Sequence, residues 1–264
     1  MCAMFYFMSG KPLNDDTNEL VPFGDEDVPT RTKRGLVDSV FDSVANQYDL
    51  MNDIMSGGIH RLWKRYLLDE LAIRTPSHLL DLAGGTGDIA LRARQRFPLT
   101  GTQITVCDIN LTMLRVGRHR TKNLGFQQGI NWLCADGECL PFPRDHFDAC
   151  TLAFGLRNMT RIEEALSEIH RVMKPGGRFL CLEFTPDVVP PLRKFYEVYT
   201  RHIIPRIGGL ITGDPEAYSY LVESIDRFPH SYQLAKLIEE TGFSGIRVAA
   251  LSAGIASLHS AWRI

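Results

Sequence analysis

The chain has 264 residues and a formal net charge of −2, with 29 Lys and Arg set against 31 Asp and Glu. That length supports one sizeable core with an appended segment, and the scattered charge offers no electrostatic footprint for DNA or RNA. No apolar run approaches the roughly eighteen residues that a membrane-spanning helix needs.

Met1 to Met8 is apolar but short, has no basic leader, and no arginine precedes Arg31. Asp15, Asp16, Glu19, Asp25, Glu26 and Asp27 make the next stretch acidic, the reverse of a transit peptide. Residues 1–31 are therefore expected to be a flexible acidic tail ahead of a domain at 32–264, with no signal or transit peptide and a cytoplasmic location. The six cysteines form no C-x-x-C pair, and four lie at or beside apolar strand-like runs, so they are expected as buried reduced thiols.

Apolar residues from Leu36 to Val44 and from Ile59 to Leu67 recur at helical spacing and predict N-terminal helices that pack on a sheet. Between them, Tyr48 and Asn52 are polar exceptions that suit a pocket wall. The stretch His78-Leu-Leu-Asp-Leu-Ala-Gly-Gly-Thr-Gly-Asp-Ile-Ala90 reads as a buried strand, a tight turn and a helix start. Gly85-x-Gly87-x-x-Ala90, with Asp108 about twenty residues on, matches the relaxed dinucleotide fingerprint, a weak signal taken alone. Asp81 and Asp88 flank the glycines, so a ligand carrying positive charge suits the turn better than a pyrophosphate. S-adenosylmethionine (SAM), with its sulfonium and ammonium, is such a ligand; the plain alternative is a capped helix behind an ordinary glycine turn.

Further strands are predicted at Gln103 to Asp108, Ile130 to Cys134, Phe147 to Phe154 and Phe179 to Phe184. Asn110 is placed to cap one intervening helix, and Thr160 with Glu163 reads as a capping box on another. Asp108 and Asp136-Gly137 follow strand ends, where such sheets bind ligands: Asp108 suits ribose hydroxyls, Asp136 an adenine amino group. From Pro190 the pattern turns helical, with Leu192, Phe195, Tyr196, Tyr199, Ile203 and Ile204 on one face flanked by basic residues. This predicts a helical lid insert over about 190–243, with Gly208, Gly209 and Gly213 as hinges, before two last strands. The fold expected is α/β: a doubly wound, mostly parallel, seven-stranded sheet with N-terminal helices and a helical lid insert.

Asp81-Leu-Ala-Gly-Gly-Thr-Gly-Asp88, Phe154-Gly-Leu-Arg-Asn158, Lys174-Pro-Gly-Gly177, Pro205-Arg-Ile-Gly208 and Ala253-Gly-Ile-Ala-Ser-Leu-His259 resemble the ubiquinone/menaquinone biosynthesis C-methyltransferases over about Thr32 to Ile264. The resemblance implies the class I SAM-dependent methyltransferase fold, SAM as methyl donor, and a polyprenylated methoxy-benzoquinol or demethylmenaquinol as acceptor. It implies cofactor binding by Asp81, Gly84, Gly85, Thr86, Gly87, Asp108, Asp136, Gly137 and Ala153. Ala153 stands where relatives often carry Ser, which removes a side-chain hydrogen bond, and Asp136 stands where they often carry Asn.

Ring methylation needs the neighbouring hydroxyl ionised, and Arg157 is the leading candidate to favour that phenolate. Asn158, His202, Tyr48 and Tyr196 are candidates to orient or deprotonate the quinol. No metal is expected. The acceptor lives in lipid, so peripheral contact with the inner membrane is compatible with the sequence, as are a homodimer or a quinone-biosynthesis complex. The alternatives are a SAM methyltransferase for another small hydrophobic acceptor, a non-catalytic SAM-fold subunit, and last a nicotinamide dehydrogenase.

Overall fold

The structure, a computed structural model, describes residues 19–44, 52–53, 56–71, 77–97, 101–126, 128–203, 206 and 215–264. Strands β1 (Leu20–Phe23) and β2 (Glu26–Pro29) lead into α1 (Thr30–Val44) and α2 (His60–Leu71). An alternating series follows: β3 (Ser77–Leu82), α3 (Asp88–Arg96), β4 (Thr102–Asp108), α4 (Leu111–Asn123), β5 (Ile130–Cys134), β6 (Phe147–Ala153), α5 (Ile162–Val172) and β7 (Met173–Phe184). Helices α6 (Pro190–Val198), α7 (Pro215–Asp226) and α8 (Ser231–Glu240) precede the closing strands β8 (Phe243–Leu251) and β9 (Ala256–Arg263).

The large sheet has seven strands in the order β5-β4-β3-β6-β7-β9-β8, parallel from β5 to β7 and antiparallel at β9 and β8. This is the expected doubly wound, mostly parallel architecture. The order reverses direction beside β3, and a ligand crevice in such sheets opens at the carboxyl ends where that reversal falls. Side chains alternate along each strand, so burial on both faces produces near-continuous apolar runs. In β7, Leu180, Leu182 and Phe184 enter one core with Trp63 and Leu67 of α2, Ile89 of α3, and Tyr218, Leu221 and Ile225 of α7. Phe179 and Cys181 enter the other, with Leu166 and Ile169 of α5 and Leu234 and Ile238 of α8.

The stretch expected as a flexible tail is, over residues 20–29, an antiparallel hairpin docked on α7. Phe23 stacks on Tyr220 at 4.5 Å between ring centroids. The Arg227 guanidinium donates to the carbonyls of Gly24 (3.2 Å) and Glu26 (2.9 Å) and pairs with Asp27 at 2.5 Å. Acidic composition suggested a solvated tail because the cation that takes up these groups lies about two hundred positions further along the chain. Part of the segment expected as a lid is likewise core, since Tyr218 and Leu221 are buried with the sheet. Gly208, Gly209 and Gly213 lie outside the described residues.

Asn110 caps α4 as expected, its side chain accepting from Met113 N at 2.8 Å. The capping box at Thr160 does not form. Instead Glu138 accepts from the Thr160 and Arg161 backbone N–H groups at 2.6 and 3.1 Å and serves the start of α5 from another loop. Cys107, Cys150 and Cys181 are buried free thiols; Cys134 is half-buried and Cys139 exposed.

Gly117 in α4 meets the Trp132 ring, and a Cβ there would come within 2.5 Å of that ring and 2.7 Å of the Thr86 carbonyl. Alanine favours a helix over glycine by about 1 kcal/mol, whereas overpacking costs roughly 1–3 kcal/mol. The Thr86 carbonyl belongs to the backbone of the glycine turn and cannot move aside freely, so the clash wins. Gly117→Ala is expected to lower stability by about 1–2 kcal/mol in urea unfolding despite its better helix propensity.

Candidate active site

A cleft of about 1070 Å³, open to solvent, lies at the carboxyl ends of β3, β4, β5 and β6. Its floor is the glycine turn after β3, and α1 borders it through Arg34, Val37, Asp38 and Phe41. Gly84 N–H donates to the Cys107 carbonyl at 3.2 Å, and Gly87 N–H to the Gly84 carbonyl at 2.8 Å. A Cβ at Gly84 would sit 2.7 Å from Val106 Cγ1 and 2.9 Å from Asp81 Oδ2, so only glycine lets the turn lie this close to β4. Gly85 and Gly87 have φ of 52° and 73°, the left-handed region. Gly84, Gly85 and Thr86 line the cleft. Gly87 instead packs against Trp132 and begins α3, so it shapes the turn from behind.

Burial and partners set the charge of the acids. Asp81 is 1% exposed, accepts from Thr151 Oγ1 at 2.9 Å and Ala90 N at 3.2 Å, and burial pushes its carboxyl up to about 7. Asp108 accepts from Gly85 N and Asn110 N, each at 2.8 Å, and enclosure raises it to about 6. Asp88 behaves differently from the expectation that both flanking acids face a cationic ligand. Its carboxylate is held by Lys64 Nζ at 2.8 Å and Arg92 Nε at 3.0 Å, and these cations outweigh burial to bring it down to about 2. The anionic character of the turn therefore rests mainly on Asp108, since burial drives Asp81 towards its neutral form.

Asp136 and Gly137 form the far wall. Asp136 pairs with Arg34 from α1 and accepts from Glu138 N at 3.0 Å, so much of its acceptor capacity is engaged within the protein. Ala153 and Asn158 line the near wall. Phe154 and Ala83, at the ends of neighbouring strands, have φ of 61° and 50°, and left-handed backbone at such bulky or β-carbon-bearing residues collects at ligand clamps.

Arg157 does not face this cleft. It is buried in a 3₁₀ turn, where Nη1 donates to Glu183 Oε1 at 2.6 Å and to the Phe154 carbonyl at 2.8 Å, and the guanidinium lies over the Phe184 ring. Its charge is thus matched by Glu183. It lines a second, solvent-open cavity beside Lys33 and Tyr220, and its Nε is buried without a partner among the described residues. Asn158 connects the two spaces by accepting from the Tyr220 hydroxyl at 3.1 Å. Tyr196 has a buried hydroxyl with no partner, and burial raises its phenol. Tyr48 lies outside the described residues. The His202 backbone falls in a π-helical turn, but its side chain is outside the description. Asn52 is buried and does not line the cleft.

Four lining residues have no sequence signal as site residues: Arg34, Asp38, Lys64 and Glu138. Each sits in an amphipathic helix or a turn where a charge ordinarily means solvent. Asp38 Oδ1 is buried without a partner, and burial raises its carboxyl.

The family model described as the ubiE/COQ5 methyltransferase family matches residues 29–263. Among similar curated proteins, a ubiquinone/menaquinone biosynthesis C-methyltransferase UbiE from Methylobacterium nodulans is 52% identical over 244 residues, covering 92% of this chain and 96% of that protein. One from Rhodopseudomonas palustris strain BisB5 is 48% identical over 249 residues, covering 93% and 98%. Among solved structures, a SAM-dependent methyltransferase from Thermotoga maritima aligns with a TM-score of 0.61 at 16% identity, covering 86% of this chain and all (100%) of that one. Haemonchus contortus phosphoethanolamine N-methyltransferase 2, in complex with S-adenosyl-L-methionine, aligns with a TM-score of 0.56 at 15% identity, covering 76% and 52%. At these identities the structures show the shared fold. The chain belongs to the ubiE/COQ5 methyltransferase family and is a SAM-dependent C-methyltransferase.

Proposed function

We propose that the chain methylates a ring carbon of a polyprenylated methoxy-benzoquinol, a demethylmenaquinol, or both. The observation that carries the cofactor half is the Asp108 carboxylate, fixed by two backbone N–H groups at the end of β4 with lone pairs left for ribose hydroxyls. Asp136 and Gly137 would border the adenine, and the Gly84–Thr86 backbone with Asp81 the amino-acid end. The glycine turn fits such a ligand because Gly84, Gly85 and Thr86 bring backbone to the cleft wall, in a tight turn that a side chain at Gly84 would clash with. SAM supplies an electrophilic methyl group on its sulfonium.

The protein's part is to orient the acceptor and favour its ionised hydroxyl. Lowering a phenol from a pKa of about 10 to about 7 requires roughly 4 kcal/mol, within reach of a desolvated cation. The hydroxyl proton leaves to water, the ring carbon takes the methyl while the C–S bonding pair stays on sulfur, and that carbon's hydrogen then leaves as a proton as the oxygen regains one, so the quinol is restored with one net proton released. Arg157 and Asn158 at the exit of β6 are the residues we assign to this end of the site, with Tyr196 and His202 as neighbours on the following helical segment.

Delivery of the lipid acceptor falls to α6. It has no buried residue, and Leu192, Phe195 and Val198 are exposed at 45%, 73% and 55% beside Arg193 and Lys194. An apolar face flanked by cations suits the surface of an anionic bilayer. No described helix is long and apolar enough to cross a membrane.

Three outcomes are expected. Asp108→Ala weakens SAM binding by about 1.5–3 kcal/mol in calorimetry. Because Asp108 sits near 6 in the free protein and the ligand is accepted by its carboxylate, affinity falls up to about tenfold per unit as pH drops below about 6 and is flat above. Asp108→Asn removes that dependence; retention of it would reassign the titrating group.

Arg157→Met leaves Glu183 buried and unpaired and is expected to cost about 3–5 kcal/mol of stability in urea unfolding. Adding Glu183→Leu recovers most of the stability but not turnover. Full recovery of turnover in the double variant would make Arg157 a folding residue alone.

In co-sedimentation with vesicles of anionic phospholipid, the chain is expected to bind, and replacing Arg193 and Lys194 by Gln weakens binding by about thirtyfold, near 1 kcal/mol per cation removed. Equal binding by both proteins, or none by either, would remove the membrane contact.

A further inference from the structure

Around the second cavity, whose lining also includes Glu163, two buried donors are under-satisfied among the described residues. Arg157 is matched by Glu183, and Arg227 by Asp27 and the hairpin carbonyls. Lys33, on α1, is only 4% exposed, yet among the described residues its ammonium makes a single hydrogen bond, to the Met159 carbonyl at 2.9 Å. An ammonium carries three N–H groups, and a buried one is costly unless they are satisfied. The Arg157 Nε–H is a second buried donor without a partner on the same cavity.

The place of the cavity matters as much as its donors. Met159 and Thr160 line both it and the large cleft, so one short segment separates the two spaces. Its other walls include Pro22 of the N-terminal hairpin, Tyr220 and Phe228, which offer ring and methylene surface. Two under-satisfied donors beside ring and methylene surface, with Glu163 on the same lining to disfavour a multiply charged anion, fit one oxygen on a flat ring better than a tetrahedral anion with many acceptors.

On the strength of the proposed reaction, we infer that this second cavity receives the acceptor ring, with Lys33 holding the ionised hydroxyl together with the Arg157 Nε–H. The neutral hydroxyl gives its proton to water, the O–H bonding pair stays on oxygen, and nothing is oxidised or reduced. Burial, opposed by Glu138 and assisted by Arg227, lowers Lys33 to about 8, and an arriving anion replaces the hydration the amine has lost. Glu138 offsets part of that burial by its charge but makes no hydrogen bond to Lys33 among the described residues, its Oε1 accepting from the Thr160 and Arg161 N–H groups. Tyr220 faces the same space with its hydroxyl committed to Asn158. The hairpin borders the site through Pro22 and Gly24, which gives it a functional reason to dock.

The test uses the full chain saturated with S-adenosylhomocysteine and titrated with 4-nitrophenol, whose phenolate is coloured and whose phenol is not. Wild-type protein is expected to move the bound probe's ionisation down by about one pH unit, a tenfold change in ratio. Lys33→Met abolishes the shift and raises KM for a short-chain methoxy-benzoquinol about tenfold or more; Lys33→Arg restores both in large part; SAM affinity by calorimetry stays within about twofold throughout. A normal probe shift in Lys33→Met overturns the inference. If Lys33→Met does not fold, Ser224→Leu fills the cavity from α7 with Lys33 in place, and an undiminished shift there overturns it as well. A wild-type protein that ionises the probe but methylates no quinol would instead sink the proposed reaction and leave the anion site standing.

Discussion

Charge taken out of water is what the architecture around the cleft has to manage. Moving an isolated carboxylate or ammonium into the interior costs several kcal/mol, so each must be paired, hydrogen-bonded or neutralised. All three solutions occur within a few residues of one another. Asp88 is paired by Lys64 and Arg92, Arg157 by Glu183, and Asp136 by Arg34. Asp108 is hydrogen-bonded by backbone, while Asp81 is driven towards its neutral form. Lys33 follows none of these fully, with a single hydrogen bond among the described residues.

The same pairs tie the elements that border the cleft. Lys64 links α2 to the start of α3, Arg34 links α1 to the loop after β5, and Glu138 starts α5 from that loop. The walls of the cofactor site are therefore held by contacts across the molecule, while its floor is held by local backbone geometry. Trp132, wedged between Gly87 and Gly117, joins the two by fixing the glycine turn against α4. A change at any of these positions reaches the cleft through a rigid neighbour rather than through a mobile loop.

The acceptor end is built on different terms. The large cleft is lined by strand ends and α1, whereas the second pocket brings together the hairpin, α1, the turn after β6, the start of α5 and α7. The chain segments that meet there are the first described and some of the last, so that pocket is formed only once the N-terminal hairpin has docked. Helix α6, with its apolar face outward, is next in the chain after β7 and is placed on the surface rather than in the core.

Much of this was legible in the residue order. Alternating buried strands and amphipathic helices specify a parallel sheet, because side-chain period and crossover handedness leave few other arrangements. Glycines between Asp81 and Asp88, and acids following strand ends, point to the cleft that opens at the carboxyl ends of the strands. Those are local signals, carried by spacing within a dozen residues. What the order could not decide was which charges meet. Asp88 was read as facing a cationic ligand, yet Lys64, two dozen positions earlier, neutralises it. Arg157 was read as a free cation, yet Glu183, on the next strand, matches it. The acidic first segment was read as solvated, yet Arg227, two hundred positions on, draws it into a hairpin. Pattern within a segment determines which face is apolar; whether a charge is spent or available depends on partners brought close only by the tertiary fold, because electrostatic matching acts through space and leaves no period in the sequence.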